Sequence, residues 1–502
     1  MFHSIAVLTT TVALTLLTTV HAQVYCGGQI SEIANGTLGG FKAQYLSNIT
    51  LVTLFGQNNN KDFEQYVLYC GDQAPDTLAL QAHGIPTSVG IFKVPLQSVG
   101  VEGTFTSSYV EVAGSGSAIK VLEDPQNVVS PCLQQAVSNG TITALNDGDF
   151  SQYESLNATF RENMHPGQKK DIWVPTTRTE ADPLLRVEYI IAISLFFNNG
   201  QHGETIYNNI RNAYTTLKND MARIPLANRK RIAWVRYDFS TSTWRLRNSA
   251  FVKKIIEAAG GVSFPLHADG LDDASVSADD IKTLLVNAQI IIDETDFTNR
   301  MTYNGKVYSS AVELWRTLAG FLVSDMLPAL SKNKVYSLDK TANAKGISDF
   351  EYRLASRPDI LLKDLISVQY PYYEPGYNTT FLNDDFSTTG GPATRLGASD
   401  CGIVPYNTGD IPQVQPNPYF KGDEDVPPPL IGNGIYGAGG EQDNNGNGNG
   451  SGKKTGIIVA VVCVAVVLGA AFAFAFFKWG KRSKEDRFIE LEEEMNNEIP
   501  LH

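Results

Sequence analysis

Histidine and cysteine are scarce in this 502-residue chain, with seven of the first and five of the second. His83, His165, His202 and His267 are spread through the long middle of the sequence. None is paired at i, i+4 and none stands beside a second ligand type at metal spacing, so no dedicated zinc site is written here. A G-x-S-x-G elbow, a Walker loop, a strand-following G-x-G-x-x-G and an H-E-x-x-H helix are all missing, which excludes the enzyme classes that those motifs mark. Positive charge is in deficit: 40 Lys and Arg against 53 Asp and Glu give a formal net charge of −13. The basic residues are interspersed with acidic ones and form no stripe, which argues against a nucleic-acid partner. No internal repeat is visible.

What the sequence does contain is two long apolar runs, one at each end. Residues 1–22, MFHSIAVLTTTVALTLLTTVHA, close on Val20-His21-Ala22 and read as a signal peptide, with the mature chain starting at Gln23. Residues 456–477, GIIVAVVCVAVVLGAAFAFAFF, carry no charge; at ~1.5 Å rise per residue they make a helix of roughly 33 Å, enough to span a bilayer core. Lys478, Lys481, Arg482 and Lys484 outnumber Lys453 and Lys454 across that run, which places residues 478–502 in the cytosol. The expectation is a single-pass type I protein of the plasma membrane or an endomembrane, its ectodomain extracellular or lumenal. Oxidising surroundings make Cys26, Cys70, Cys132 and Cys401 candidates for two disulfides, with three connectivities open. Cys463 lies within the apolar run. Asn35, Asn48, Asn139, Asn157 and Asn378 head Asn-x-Ser/Thr acceptor triplets for glycosylation; a sixth, Asn449, stands in a Gly/Asn tract.

Composition divides the ectodomain. From about Tyr370 the texture turns to PYYEPGY, NPYFKGDEDVPPPL and EQDNNGNGNGSG, so residues 372–455 read as a Pro/Gly/Asn-rich stalk. Upstream, short apolar runs alternate with helical periodicity, the pattern of parallel α/β layers. Strands are expected at Ile91–Val101, Ile172–Val174, Ile232–Val235 and Ala288–Ile292, and a hairpin from Ile49–Leu54 and Glu64–Cys70. Phe251–Ala259 reads as a helix stopped by Gly260-Gly261. Leu184–Phe197 is apolar nearly all round and reads as a buried helix, with Asp182-Pro183 as its cap and first turn. Ile206, Ile210, Ala213, Leu217 and Met221 mark a long amphipathic helix from about Thr205 to Ala222. The expected layout is an N-terminal α/β lobe with its hairpin (23–204), an interlobe helix (205–226) and a C-terminal α/β lobe (227–371). The fold class is therefore α/β, two Rossmann-like lobes joined by a long helix, plus the single transmembrane helix.

In an open parallel sheet, ligands gather beyond the carboxyl ends of the strands. Three segments occupy such positions: 175–183, 236–239 and 293–296. They supply the candidate ligand-binding residues Thr177, Arg178, Glu180, Arg236, Tyr237, Glu294 and Asp296, to which Trp244 is added as a cleft-lining ring. Arg178 suits an anionic ligand group, the aromatic rings an apolar face, and the carboxylates a polar or cationic group. Trp234, inside a strand, reads as core. The run Asp293, Glu294 and Asp296 reads as solvated or helix-capping in preference to a cation site. No motif names a cofactor.

Longer stretches carry a resemblance. Val89–Val101 with Ser107–Val121, Tyr153–Leu156 through Asp171–Val174, Ala181–Asn198, Arg231–Gly261 and Val335–Leu365 occur in an order and spacing similar to the class III periplasmic substrate-binding proteins, over roughly residues 49–371. That resemblance implies two α/β lobes on one rigid helix, a small ligand in the cleft such as an iron chelate, haem or cobalamin, and no catalysis. The family's zinc- and manganese-binding histidines are missing here, which favours a chelated metal or an organic cofactor over a bare ion. The hairpin, the cysteines, the glycosylation triplets and the anchor at the C-terminal side depart from bacterial members. Capture of a solute for uptake or sensing is thus the leading expectation. An adhesion or signalling ectodomain and a cleft hydrolase stand as rivals, and the sequence names no transporter or endocytic partner.

Overall fold

The computed structural model describes residues 26–31, 39–56, 62–145, 151–163, 170–175, 182–263, 273–295, 302–322, 324–384, 393–403, 416–417 and 420. The leader 1–22, the apolar run 456–477 and the tail 478–502 lie outside them, as does Asn35. No helix among the described residues is long and apolar enough to cross a membrane.

Alternating apolar residues build the first sheet. In β1 (Phe41–Leu46), Phe41 and Ala43 turn inward while Lys42 and Gln44 face solvent, the period of two that a half-buried strand requires. It pairs antiparallel with β2 (Ile49–Phe55), which pairs antiparallel with β3 (Phe63–Tyr69), the expected hairpin. After α1 (Thr77–Ala82) the chain adds β4 (Gly90–Lys93) parallel to β3. Both faces of β2 are buried: Val52 and Leu54 enter the main core, while Ile49 and Leu51 join Leu80 and Ile85 in a small outer core under α1. The single strand expected over Ile91–Val101 is in fact two strands in two sheets. Pro95 has no N–H to give a ladder, and the chain leaves β4 through Val94-Pro95 to enter β5 (Val99–Val101) of the next sheet.

Lobe 1 follows as β5, α2 (Thr104–Val112), β6 (Ile119–Leu122), α3 (Pro131–Ser138), β7 (Thr143–Ala144), α4 (Ser151–Glu154), β8 (Ala158–Arg161) and β9 (Asp171–Trp173). Its five strands are all parallel in the order β7-β6-β5-β8-β9. The expected single helix Leu184–Phe197 is broken into α5 (Pro183–Val187) and α6 (Tyr189–Phe196). At the break, buried Glu188 turns its carboxylate to the Gly40 N–H at 2.9 Å. Asp182 caps α5 as expected, accepting from Leu184 N at 3.0 Å. Every residue of α6 is buried.

The long helix is α7 (Gly200–Ala222), beginning five residues before the expected start. Ile206, Tyr207, Ile210 and Ala213 belong to the core of lobe 1; Tyr214, Leu217 and Met221 belong to that of lobe 2. One amphipathic helix thus serves both cores.

Lobe 2 comprises β10 (Arg231–Asp238), β11 (Thr243–Arg247), α8 (Ala250–Ala258), β12 (Val262–Ser263), β13 (Asp273–Val276), α9 (Ala278–Asn287), β14 (Ile290–Asp293), the small pair β15 (Thr302–Tyr303) and β16 (Lys306–Val307), α10 (Ala311–Leu318), α11 (Pro328–Ser331) and β17 (Val335–Ser337). Its sheet is mixed, a departure from the Rossmann-like expectation. β10, β14 and β17 are parallel, whereas β11 folds back antiparallel on β10 and β13 antiparallel on β11. The polar FSTST turn, with Ser242 at φ 52°, makes that reversal.

The folded body does not end at Pro371. After β18 (Thr341–Asn343), α12 (Asp349–Arg353) and α13 (Pro358–Gln369), Phe381 and Leu382 are buried in the core of lobe 2, and β19 (Thr394–Leu396) pairs with β18. Part of the expected stalk is therefore structured. Buried Asp364 explains why a Pro/Gly-rich stretch can hold shape: its carboxylate accepts from Thr380 N, Phe381 N, Leu382 N and the Tyr377 hydroxyl. The four cysteines among the described residues pair as Cys26–Cys70 and Cys132–Cys401.

Candidate functional site

In lobe 1 the strand order turns about between β5 and β8, the place where an open α/β sheet leaves a crevice. Glu102 and Gly103 leave β5 there, and Arg161 and Glu162 close β8. The crevice is satisfied from within. Buried Arg161 pairs with Glu102 and, at 2.7 Å, with Asp171. The N-terminus of α2, which would attract an anion, already faces protein carboxylates: Gly103 N donates to Glu123 at 3.1 Å and Thr106 N to Glu162 at 3.4 Å. A Cβ on Gly103 would lie 2.2 Å from the Glu162 carboxyl, and its φ of +86° suits glycine alone. An anionic ligand group has no place at this helix end.

Lobe 2 differs. Along β10 the side chains alternate, so that Ala233, Val235 and Tyr237 enter one core while Ile232 and Trp234 enter the other. Arg236 continues the second row and is exposed. Its direct partner across the hairpin is Arg245, and Arg247 follows two residues on, on the same face. Two of these guanidinium groups have carboxylates: Arg245 meets Asp238 at 3.3 Å and Arg247 meets Glu294 at 2.8 Å. No ion pair or side-chain hydrogen bond of Arg236 is found among the described residues. Like charges directly opposite in a sheet repel, so the pairing with Arg245 gives the Arg236 side chain no electrostatic gain.

Glu294 sits at the end of β14 as expected but is engaged twice, accepting from Trp234 Nε1 at 2.7 Å as well as pairing with Arg247. Beside it, burial pushes the Asp293 carboxyl up to about 6, against hydrogen bonds from Thr295 that pull it down. Asp238 is held well below the usual carboxylate range by the hydroxyl and N–H of Ser240. The expected cleft rings are buried: Tyr237 is 6% and Trp244 2% exposed. They pack edge to face at 5.3 Å, and the Trp244 indole donates to Leu318 O at 2.9 Å. Trp234 is core, as expected. Thr177, Arg178, Glu180 and Asp296 lie outside the described residues. Among the described residues no group of three or more His, Cys, Asp or Glu side chains is arranged to hold a metal ion.

No protein-family model matches the chain, and no curated protein matches it. Solved structures do resemble it. A periplasmic heme binding protein from Pseudomonas aeruginosa is similar at 13% identity over 60% of this chain and 100% of its own, with a TM-score of 0.40. The periplasmic vitamin B12 binding protein BtuF of Vibrio cholerae is similar at 12% identity, covering 55% and 96%, TM-score 0.37. CeuE of Helicobacter pylori, determined with Ni(II) bound, is similar at 13% identity, covering 57% and 88%, TM-score 0.38. The likeness is one of fold, at low identity, over about half of this chain. It assigns no ligand.

Arg245 and Arg247 escaped the sequence reading, although a signal was present. The alternation in Trp244-Arg245-Leu246-Arg247, taken with the polar turn before it, places both arginines beside Arg236 once the hairpin is drawn. An open groove of about 450 Å³ lined by Arg229, Lys253, Glu257 and Gly261 lies elsewhere, beside the start of β10. Strand starts are not where α/β sheets gather ligands. Asn48, Asn139, Asn157 and Asn378, the described heads of acceptor triplets, are all exposed.

Proposed function

We propose that this protein is a membrane-anchored, cell-surface solute-binding protein. Its ectodomain takes a small ligand bearing an anionic group, such as an iron chelate, haem or cobalamin, at the strand ends of lobe 2, for uptake or sensing. The observation that supports this most is Arg236, exposed, facing Arg245 and without an ion-pair partner among the described residues. A free guanidinium held on a strand beside two others is pre-organised for a carboxylate or phosphate group. The reading assigns no turnover to the site. In a thermal-shift panel of ferric chelates, haem and cobalamin, at least one ligand should raise the melting temperature of the wild type, and the shift should vanish in Arg236→Ala. Equal shifts in both proteins would remove Arg236 from the site.

A second reading, an adhesion or signalling ectodomain with no ligand in a cleft, gains support from the extent to which the lobes are joined. Failure of every ligand to shift the melting temperature would favour it.

A further inference from the structure

The parallel strands of lobe 2 begin at one end of its sheet, where β10, β12, β14 and β17 start at Arg231, Val262, Ile290 and Val335. Large apolar side chains stand in the open there. Leu226, ahead of β10, is 75% exposed, Leu322 is 67%, and Met326, two residues before α11, is 87%. Val286 in the last turn of α9 is exposed as well. Contacts tie these segments to the strand starts. Arg231 Nε donates to Asn287 O, next to Val286, at 3.0 Å. One turn earlier on α9, Lys282 pairs at 3.3 Å with Asp325, whose carboxylate also accepts from Leu322 N at 2.9 Å. Exposed apolar side chains gathered in one region mark an interaction surface.

Basic side chains are set among them. Arg229 and Lys253 line the open groove beside β10 together with Leu226 and Glu257. Lys230, Lys332 and Lys334 line a second, smaller groove with Pro328 at the start of β14. Among the described residues, Glu257 is the one acidic side chain lining either groove. A lysine near a helix C-terminus offsets the helix dipole, which accounts for Lys332 after α11 but not for Leu226, Leu322 and Met326 in water. The last described residue lies at this same end. Phe420 packs on Tyr370 and Tyr373, with ring centroids 5.4 and 5.2 Å apart. The Tyr370 hydroxyl donates at 2.8 Å to Gly260 O, next to Gly261 of the larger groove. In the sequence, residues 421–455 separate Phe420 from the uncharged apolar run 456–477.

We infer that the strand-start end of lobe 2 is a membrane-docking surface: Leu226, Leu322 and Met326 enter the headgroup region of a bilayer, and the arginines and lysines around them meet anionic phospholipid headgroups. Apolar side chains ringed by cations hold such an interface by burial and attraction together. Arg236 lies toward the opposite end of β10 from Arg231, so docking leaves the arginine face open to solution. The inference rests on the membrane-anchored part of the proposed function and is independent of which ligand binds.

The full-length protein in lipid nanodiscs tests it, with discs of phosphatidylcholine alone or of equal parts phosphatidylcholine and phosphatidylserine. An environment-sensitive dye is carried on an unnatural residue in place of Met326 or, in a second preparation, of exposed Thr241 in the turn after β10. In the anionic discs the dye at Met326 should brighten about twofold or more and shift to the blue, while the dye at Thr241 stays unchanged. The gain should be lost in the Lys253→Glu/Lys332→Glu variant and, without any such substitution, as salt is raised. Equal emission at Met326 in both kinds of disc would overturn the docking surface, as would an equal gain at Thr241. A gain that follows the number of protein copies per disc instead of the lipid would overturn it too, and would give the patch to a second copy. A chain that does not enter the discs refutes the anchor and the docking with it, whereas entry without a dye response refutes the docking alone.

Discussion

Across the hairpin Arg236 meets a second arginine, and among the described residues its side chain has no ion pair. Arg236→Ala should therefore leave the melting temperature unchanged or slightly raised while weakening an anionic ligand roughly 10- to 100-fold, the worth of one charge-assisted contact. Titration calorimetry beside a thermal melt separates the two effects. Asp293 behaves in the opposite way. Burial raises its carboxyl to about 6, so between about pH 4 and 6 the folded chain keeps a proton that the unfolded chain has lost. Its contribution to stability is present below that window and disappears as pH rises through about 6. Asp364 follows the same sign for the same cause. Asp293→Asn should accordingly gain stability relative to wild type as denaturation is repeated from pH 4 to pH 7, and a difference independent of pH would contradict the assignment.

Among elements, α6 and α7 approach closely at Gly203. A Cβ on Gly203 would stand 2.3 Å from Ser194 Oγ and 3.1 Å from the Ile191 backbone. Gly203→Ala should cost about 1–3 kcal/mol by overpacking, and adding Ser194→Ala should recover part of it. Denaturant melts of the two variants check this; no recovery would place the clash on the backbone instead. The periodicity of α7 was legible because Ile206, Ile210, Ala213, Leu217 and Met221 are core on a single face. The hairpin β2–β3 was legible for a similar local reason, two apolar runs about a polar turn. What sequence alone concealed was non-local. Nothing near Glu188 announces that Gly40, distant in sequence, will meet its carboxylate at the junction of α5 and α6. Nothing near Pro371 shows that Asp364 will gather three later backbone N–H groups. Tyr237 and Trp244, expected at the cleft from strand-end position, are buried, because alternation sends Tyr237 inward and Arg236 out.

For the whole molecule we propose an oxidising, glycosylating compartment, a reading that the two disulfides and the exposed acceptor asparagines support. Glycosidase treatment with mass spectrometry should find glycans at Asn48, Asn139, Asn157 and Asn378. Asn139 and Asn157 stand just before β7 and β8, at the strand starts of lobe 1, so their removal should leave ligand affinity unaltered. Loss of binding on deglycosylation would move the site to that edge.

The central claim, capture of an anionic small molecule on the arginine face of lobe 2, is tested most directly on the full-length protein purified in detergent from cells that express it. Native mass spectrometry and an absorption spectrum should reveal a retained small molecule in the wild type that is absent from Arg236→Ala at an equal melting temperature. A bare glycosylated chain in both, with no thermal shift from ferric chelates, haem or cobalamin at saturating concentration, would contradict it.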